Sequence, residues 1–208
     1  MTFSSVYEMF DPLTTVRKQR FWDWFSGDDL RAWWNTTTIG SSTVTTNDAV
    51  DGGIIITTGA ASGDRIELGF ANKRQYNYNA NVCIAVAKTN SLTSCAMRTG
   101  FLDDTLVLSA DAANSSFDTA LDSTYYVLTT GYSGGSTTGA STFTADTNFH
   151  VFKTECGASN VKSYIDGVLQ VTNSTNLPAD KMQPHISGQA RTTSARTFNF
   201  RYYEAYNT

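Results

Sequence analysis

Residues 161–169 read Val-Lys-Ser-Tyr-Ile-Asp-Gly-Val-Leu, and this stretch decides the fold. Asp166 and Gly167 stand between apolar residues, and both central positions of a two-residue hairpin turn favour residues that tolerate positive φ. The stretch therefore predicts a β-hairpin. Residues 149–155, just upstream, form another β-type run.

Similar short runs recur on both sides of this hairpin, from residue 21 to residue 206. Residues 64–70 alternate, which predicts a one-sided strand with its apolar side chains inward and its charges outward. Residues 54–56 are apolar on both faces, which is typical of a central strand. The last run predicts one shared face for four aromatic residues: Phe198, Phe200, Tyr202 and Tyr206. No helical period follows residue 20, so the chain is predicted to be an all-β sandwich or barrel.

Two segments lack these signals. Residues 103–121 mix short apolar pieces with Ala, Ser and Asn, and residues 131–142 are nearly pure Gly, Ser and Thr. Both are predicted to be loops at the rim of the fold.

Composition narrows the classes of partner. The formal net charge is -4, with 15 Lys and Arg against 19 Asp and Glu, and no basic run is interleaved with aromatic residues. Nucleic acid is therefore not expected as a partner. The N-terminus shows no signal-peptide pattern, and no apolar run reaches the roughly 18 residues of a membrane helix, so we expect synthesis in a cytoplasm without membrane insertion.

Residues 1–20 differ from the rest and are predicted to form an N-terminal arm, with one jelly-roll domain over 21–208. The arm is too apolar for a tail left in water, which favours docking on a partner subunit. The alternatives are that the arm packs on its own domain or docks on nothing. The predicted anchoring residues are Phe3, Tyr7, Phe10, Leu13 and Arg17.

The three cysteines, Cys83, Cys95 and Cys156, lack metal-binding spacing. They are predicted to be buried or free thiols, with a Cys83–Cys95 bridge across a hairpin as the alternative.

Several motifs together resemble a known superfamily. They are Phe-Trp-Asp-Trp-Phe at 21–25 with Gly-Asp-Asp-Leu at 27–30, Gly-Phe-Leu-Asp-Asp-Thr at 100–105, Asp-Thr-Asn-Phe-His-Val-Phe at 146–152 and the hairpin at 161–169. This order resembles the concanavalin A-like lectin/glucanase superfamily in its laminin-G-like form, and especially versions found in bacteriophage structural proteins. The resemblance implies a two-sheet antiparallel jelly-roll sandwich whose first and last strands lie together in one sheet.

The superfamily contains lectins, hydrolases and structural modules, so the chemistry of the residues has to separate them. Glycoside hydrolysis needs two nearby carboxyl groups. The glucanases of the superfamily carry a Glu-x-Asp-x-x-Glu strand, which this chain lacks, and its four glutamates stand far apart: Glu8, Glu67, Glu155 and Glu204. His150 is interpreted as a packed or rim histidine. The sequence therefore predicts a protein that is not an enzyme and has no catalytic residues.

Two kinds of ligand remain open. Calcium, the common ligand of the superfamily, could be held by Asp103 and Asp104, or by Asp28 and Asp29, although capping of turns is the alternative. No other cofactor is predicted. An exposed aromatic platform could bind a carbohydrate. Its candidates are Tyr76, Tyr78, Tyr125, Tyr126 and Tyr132, and the alternative is that these tyrosines pack on the sheet below.

Taken together, the sequence predicts a non-enzymatic structural or decoration protein on the surface of a virus particle, a bacteriophage, with weak glycan binding as an additional activity. Its predicted partners are other virion proteins or copies of itself, and cell-surface glycans. The alternatives are a carbohydrate-binding, lectin-like module and a glycoside hydrolase.

Overall fold

The computed structural model describes residues 19–26, 29–47, 52–103 and 112–208. These residues contain no helix and form strands in two antiparallel sheets. The predicted fold class, an all-β jelly-roll sandwich, is confirmed. None of the described residues forms a helix long and apolar enough to cross a membrane.

Eight strands form one sheet, in the order β13-β12-β11-β6-β15-β4-β3, with β1 paired to β15 beside that path. Their bounds are β1 Arg20–Asp23, β3 Thr43–Thr46, β4 Ile54–Thr57, β6 Asn81–Thr89, β11 His150–Cys156, β12 Val161–Ile165, β13 Val168–Asn173 and β15 Thr197–Asn207.

Seven strands form the other sheet, in the order β10-β9-β8-β7-β14-β5-β2. Their bounds are β2 Asn35–Ile39, β5 Arg65–Gly69, β7 Cys95–Leu102, β8 Ala112–Asp118, β9 Tyr125–Tyr132, β10 Gly135–Thr144 and β14 Gln183–Ala190. The core lies between the two sheets, where alternate side chains of both point inward. Its large members include Ile54, Ile56, Ile66, Leu68, Met97, Phe101, Phe117, Phe152, Phe198 and Phe200.

The first and last strands pair, as the resemblance implied: β1 runs antiparallel to β15, with Phe21 opposite Ala205. The buried Asp23 then anchors the segment that follows β1. Its carboxylate accepts hydrogen bonds from the Phe25 amide at 2.8 Å and from Trp34 Nε1 at 3.0 Å. Because both oxygens are used, the burial of this charge is compensated.

The prediction that four aromatic residues of β15 share one face is wrong. A register shift between Phe200 and Tyr202 interrupts the pairing of β15 with β6. Phe198 and Phe200 are fully buried, but after the shift it is Tyr203 that is buried, and Tyr202 is half-buried. An extra residue in one strand reverses which side chains point inward, and this moves Tyr202 to the outward face.

The hairpin at 161–169 is confirmed: it joins β12 to β13, and Asp166 and Gly167 have φ of 51° and 81°. Two other expectations are corrected. The predicted loop at 131–142 contains most of β10, an edge strand that bonds to β9 through its backbone. Gly139 of β10 also lets the Val171 side chain pack closely against the strand, since a Cβ on Gly139 would lie 2.5 Å from it. The predicted loop at 103–121 likewise contains β8.

The strand at 54–56 is not central, because only β3 separates β4 from the edge of its sheet. Ile55 is accordingly half-buried. The Cys83–Cys95 bridge is also absent, and both thiols are free and buried. The two strands that carry them lie in opposite sheets, so they do not form the hairpin that a bridge would cross.

Candidate functional site

The seven-stranded sheet has a polar outward face. Met97 and Phe101 on β7 point into the core, so Arg98 between them points outward, and the same alternation applies to the neighbouring strands. We call the resulting set the polar face. Its members are Glu67, Arg98, Asn114, Ser116, Asp118, His185, Ser187 and Gln189, all of them less than a tenth exposed.

Strand register sets the order of these side chains. Arg98 on β7 lies opposite Ser187 on β14 and opposite Ser116 on β8. Ser187 in turn lies opposite Glu67 on β5. Four adjacent strands therefore present one continuous polar row.

A second row crosses the same strands at Gly100. His185 lies opposite Gly100 on one side, and Asn114 lies opposite it on the other. His185 Nδ1 and Asn114 Oδ1 are 3.1 Å apart, so the two side chains meet above the glycine. Gly100 has φ +149°, and a Cβ there would lie 2.2 Å from the Ala113 carbonyl oxygen. The close approach of the β8 backbone to β7 at Gly100 therefore depends on the missing side chain.

Glu67 lies between two basic groups. One carboxylate oxygen is 3.3 Å from Arg65 Nε, and the other is 3.7 Å from His185 Nε2, longer than a hydrogen bond. The sequence predicted that the charges of residues 64–70 would face water, yet Glu67 is only 4% exposed. The side chains of Arg65 and His185 lie on either side of it on the same face.

Asp118 binds two arginines at the end of the face. Its Oδ2 accepts from Arg98 Nη2 at 2.6 Å and from Arg191 Nη2 at 2.5 Å. Burial lowers the pKa of Arg98, and the charge of Asp118 opposes that shift. One carboxylate thus holds two guanidinium groups, of which Arg98 is the more buried.

Several buried atoms of the polar face have no hydrogen-bond partner among the described residues. They are Arg98 Nε, Asn114 Nδ2, His185 Nε2 and Ser187 Oγ. A buried polar atom without a partner costs about 1–3 kcal/mol, so such atoms are usually satisfied by water or by a ligand. Their concentration on four neighbouring residues marks the polar face as the candidate binding site.

The five predicted carbohydrate-binding tyrosines are not brought together. Tyr76 is buried beside Phe101, with ring centroids 5.4 Å apart, and Tyr126 is buried between Phe117 and Phe152. Burial raises the pKa of Tyr126 to about 12. Tyr76 and Tyr126 therefore pack on the sheet, which was the alternative to carbohydrate binding in the sequence analysis.

The other three tyrosines are at least partly accessible. Tyr78 is 37% exposed in the segment between β5 and β6, and Tyr132 is 46% exposed at the end of β9. Tyr125 is half-buried and lies two residues before Val127, which is opposite Ser116, so it shares the outward side with the polar face.

The predicted metal ligands lie elsewhere. Asp103 follows β7 and forms an ion pair with Arg74 at 2.5 Å, whereas Asp104 lies outside the described residues. The described part of the chain contains no group of three or more His, Cys, Asp or Glu side chains placed to hold a metal ion. The predicted anchoring residues Phe3, Tyr7, Phe10, Leu13 and Arg17 also lie outside the described residues.

His150 forms a second polar cluster, in the eight-stranded sheet. Its Nδ1 is 2.7 Å from Asp166 Oδ2, and its Nε2 is 2.9 Å from Asp146 Oδ1. Burial alone would lower the pKa of His150, but the hydrogen bonds to the two carboxylates raise it above its usual value. Both ring nitrogens are engaged, so this histidine is packed, as predicted, and holds the β12–β13 turn to the start of β11.

Sequence reasoning missed the polar face. One signal was present: residues 183–190 alternate Gln, His, Ser and Gln with smaller or apolar residues, which is the period-2 pattern of a strand. The facing residues on β5, β7 and β8 come from distant parts of the chain, and only strand pairing brings them together.

No protein-family profile matches this chain, and no curated protein matches it in sequence. Solved structures do match its fold. A β-glucanase from Bacillus licheniformis superimposes with a TM-score of 0.67 at 13% identity, over 91% of this chain and 98% of that one. The fold is the concanavalin A-like jelly roll.

Two further jelly rolls have similar scores. A family 16 glycoside hydrolase from Bacteroides ovatus gives a TM-score of 0.63 at 13% identity, over 88% of this chain and 98% of that one. The carbohydrate recognition domain of Emp47p gives 0.62 at 9% identity, over 90% and 94%. At these identities the likeness establishes the fold of this chain and not its activity.

The prediction that the chain is not an enzyme is contradicted, because most of the similar solved structures are glycoside hydrolases. The missing Glu-x-Asp-x-x-Glu strand excluded one catalytic arrangement. It did not separate this jelly roll from the scaffold on which hydrolases are built.

Proposed function

We propose that this protein binds a carbohydrate at the polar face of its seven-stranded sheet. The observation that carries the proposal is a set of buried polar atoms with no hydrogen-bond partner in the described part of the chain, on Arg98, Asn114, His185 and Ser187. Sugar hydroxyls both donate and accept hydrogen bonds, so a glycan could satisfy donors and acceptors together. Similar jelly rolls described as glucanases and as a carbohydrate recognition domain support this class of ligand.

The test is a glycan array, followed by titration of the best ligand into wild-type protein and two sets of variants. His185→Gln and Ser187→Ala change the polar face, whereas Tyr78→Ala and Tyr132→Ala change the exposed tyrosines. We expect the first pair to weaken binding and the second pair to leave it unchanged. Loss of binding only in the tyrosine variants would move the site to the predicted aromatic platform, and the absence of any glycan ligand would end the proposal.

Glycoside hydrolysis is the second candidate, because Glu67 lies on the polar face beside His185. The other carboxylate of the face, Asp118, is three strand intervals away from Glu67, on β8. At about 4.8 Å per interval the two strands are about 14 Å apart, and Asp118 lies two residues along β8 from Ser116, which is in the row of Glu67, so the two residues are more than about 14 Å apart. Retaining and inverting hydrolases hold their carboxyl groups about 5–5.5 Å and about 6.5–9.5 Å apart, so Glu67 would need a different partner from Asp118.

Release of reducing sugar from the bound glycan tests this candidate. Hydrolysis that stops in Glu67→Gln while binding persists would support it. Binding without any sugar release would leave glycan recognition as the function.

A role in a bacteriophage particle remains a prediction of the sequence. The similar structures reported above give it no support, and the anchoring residues on which it depends lie outside the described residues. Copurification of the chain with intact particles is its test, and absence from purified particles would reject it.

A further inference from the structure

The polar face, counted together with the two arginines that pair with its carboxylates from its edge, carries more positive than negative charge. Around it the described residues place the arginines Arg65, Arg98 and Arg191 and the carboxylates Glu67 and Asp118. The chain as a whole has a formal net charge of -4. With Arg65 and Arg191 included, this region therefore has the opposite sign to the net charge of the chain.

The excess positive charge is concentrated around Asp118. This carboxylate binds both Arg98 and Arg191 through Oδ2, and its Oδ1 accepts from Arg191 Nε at 3.2 Å and from the Ala120 amide at 3.1 Å. A single negative charge cannot neutralise two guanidinium groups. Arg98 has a side chain only 6% exposed, so water screens its charge poorly.

Among the described residues, four atoms of the face lack a hydrogen-bond partner, and His185 Nε2 is a donor or an acceptor according to the tautomer of the ring. Arg98 Nε and Asn114 Nδ2 can only donate, and the Ser187 hydroxyl can donate or accept. Carboxylate and sulfate oxygens only accept, and charge-assisted hydrogen bonds to them are roughly twice as strong as neutral ones. An anionic group therefore matches both the charge and the donor pattern.

The described side chains place these donors together. Arg98 is directly opposite Ser187 across the β7–β14 pairing. Asn114 lies on β8, two residues before Ser116, which is opposite Arg98 on the other side. Three neighbouring strands thus direct donors toward one region beside Arg98.

We propose that the glycan bound at the polar face is acidic, with a carboxylate or sulfate group that accepts hydrogen bonds from Arg98, Asn114 and Ser187. This inference rests on the proposed carbohydrate binding at the same face. It specifies the ligand class, since a neutral glucan would leave the excess charge of the arginines unpaired.

Matched ligands test the charge directly. Oligogalacturonate and its fully methyl-esterified form have the same sugar chain and differ in the carboxylate, and a sulfated galactan and its desulfated form make the same comparison for sulfate. We expect wild-type protein to bind at least one acidic member about 10-fold or more tightly than its neutral counterpart, with an affinity that falls as salt rises. Preference within the uronate pair identifies a carboxylate, and preference within the galactan pair identifies a sulfate.

Variants then locate the interaction. Arg98→Gln should reduce binding of the acidic ligand about 10-fold and weaken any binding of the neutral one by a smaller factor, because only the acidic ligand loses a charge-assisted hydrogen bond. Lys162→Gln is the matched control, because it removes one positive charge from β12 in the opposite sheet. Thermal unfolding of each variant verifies that it is folded, and Ser187→Ala serves in place of Arg98→Gln if the latter unfolds.

The results separate the two proposals. Equal or tighter binding of both neutral ligands would overturn the acidic-glycan inference and leave carbohydrate binding intact. Equal losses in Arg98→Gln and Lys162→Gln would assign the preference to general attraction and overturn the site. Failure of every glycan, neutral or acidic, would overturn the proposed function and the inference with it.

Discussion

Two serine-to-alanine substitutions should separate a ligand-binding hydroxyl from a structural one. Ser187 Oγ is buried on the polar face and has no hydrogen-bond partner among the described residues. Ser115 is equally buried but faces the core from β8, where its hydroxyl lies 2.8 Å from that of Thr154 and 2.7 Å from that of Ser163. The chemical change is the same at both positions, so any difference in stability or in ligand affinity between the two variants comes from the contacts of each hydroxyl.

The magnitudes follow from those contacts. Ser115→Ala removes two hydrogen bonds and leaves two buried hydroxyls without that partner, which should lower the free energy of unfolding by about 1–3 kcal/mol. For a chain of this size, each kcal/mol shifts the melting temperature by about 2–4 °C, so a decrease of about 2–12 °C is expected. Ser187→Ala removes no protein hydrogen bond and should change the free energy of unfolding by less than about 0.5 kcal/mol.

The binding outcome should be reversed. Ser187→Ala should weaken the glycan by about 2- to 10-fold, the equivalent of one hydrogen bond. Ser115→Ala should leave affinity unchanged at a temperature where the protein is folded. Calorimetric unfolding and glycan titration measure both effects. A destabilisation by Ser187→Ala as large as that of Ser115→Ala would show that the Ser187 hydroxyl is engaged in the free protein, and would refute the reasoning for the site.

Three further predictions concern the scaffold. Gly100→Ala should lower the free energy of unfolding by about 2–6 kcal/mol, because its Cβ would clash with the backbone of β8 and its φ is positive. Gly134→Ala is the control: Gly134 has φ +87° but open space around it, so the free energy of unfolding should fall by only about 1–3 kcal/mol. Chemical denaturation measures both values, and equal decreases would argue against the close approach at Gly100. Because the pKa of His150 is raised in the folded protein, its stabilising contribution is complete below about pH 6.5 and is lost as pH rises through the folded pKa. His150→Gln should therefore flatten the decline of melting temperature as pH rises above about 6.5. An unchanged profile of melting temperature against pH would contradict this. Burial raises the pKa of Cys83 to about 12, and all three cysteines are buried. Their thiols should therefore react slowly with a thiol reagent in native protein at pH 8 and fully after unfolding. Rapid labelling of the native protein would contradict this.

The sequence predicted the elements that depend on local pattern. The hairpin at Asp166-Gly167 follows from two adjacent residues that tolerate positive φ, and the strand at 65–69 follows from alternation. The pairing of β1 with β15 was predicted by the resemblance to the superfamily, whose first and last strands lie together in one sheet. The same local rules failed at β10, where backbone pairing to β9 forms a strand composed mainly of Gly, Ser and Thr, and at β15, where a bulge reverses the side-chain faces.

The sequence by itself determined that this chain is all-β, a sandwich or a barrel, because the periods and turn residues that specify strands act between neighbours in the chain. Only the tertiary structure decided that Arg98, Asn114, His185 and Ser187 form one face, since the register between β8, β7 and β14 joins positions far apart in sequence. It also decided that these side chains are buried. Alternation along a strand separates its two faces but carries no information about what covers the outward one.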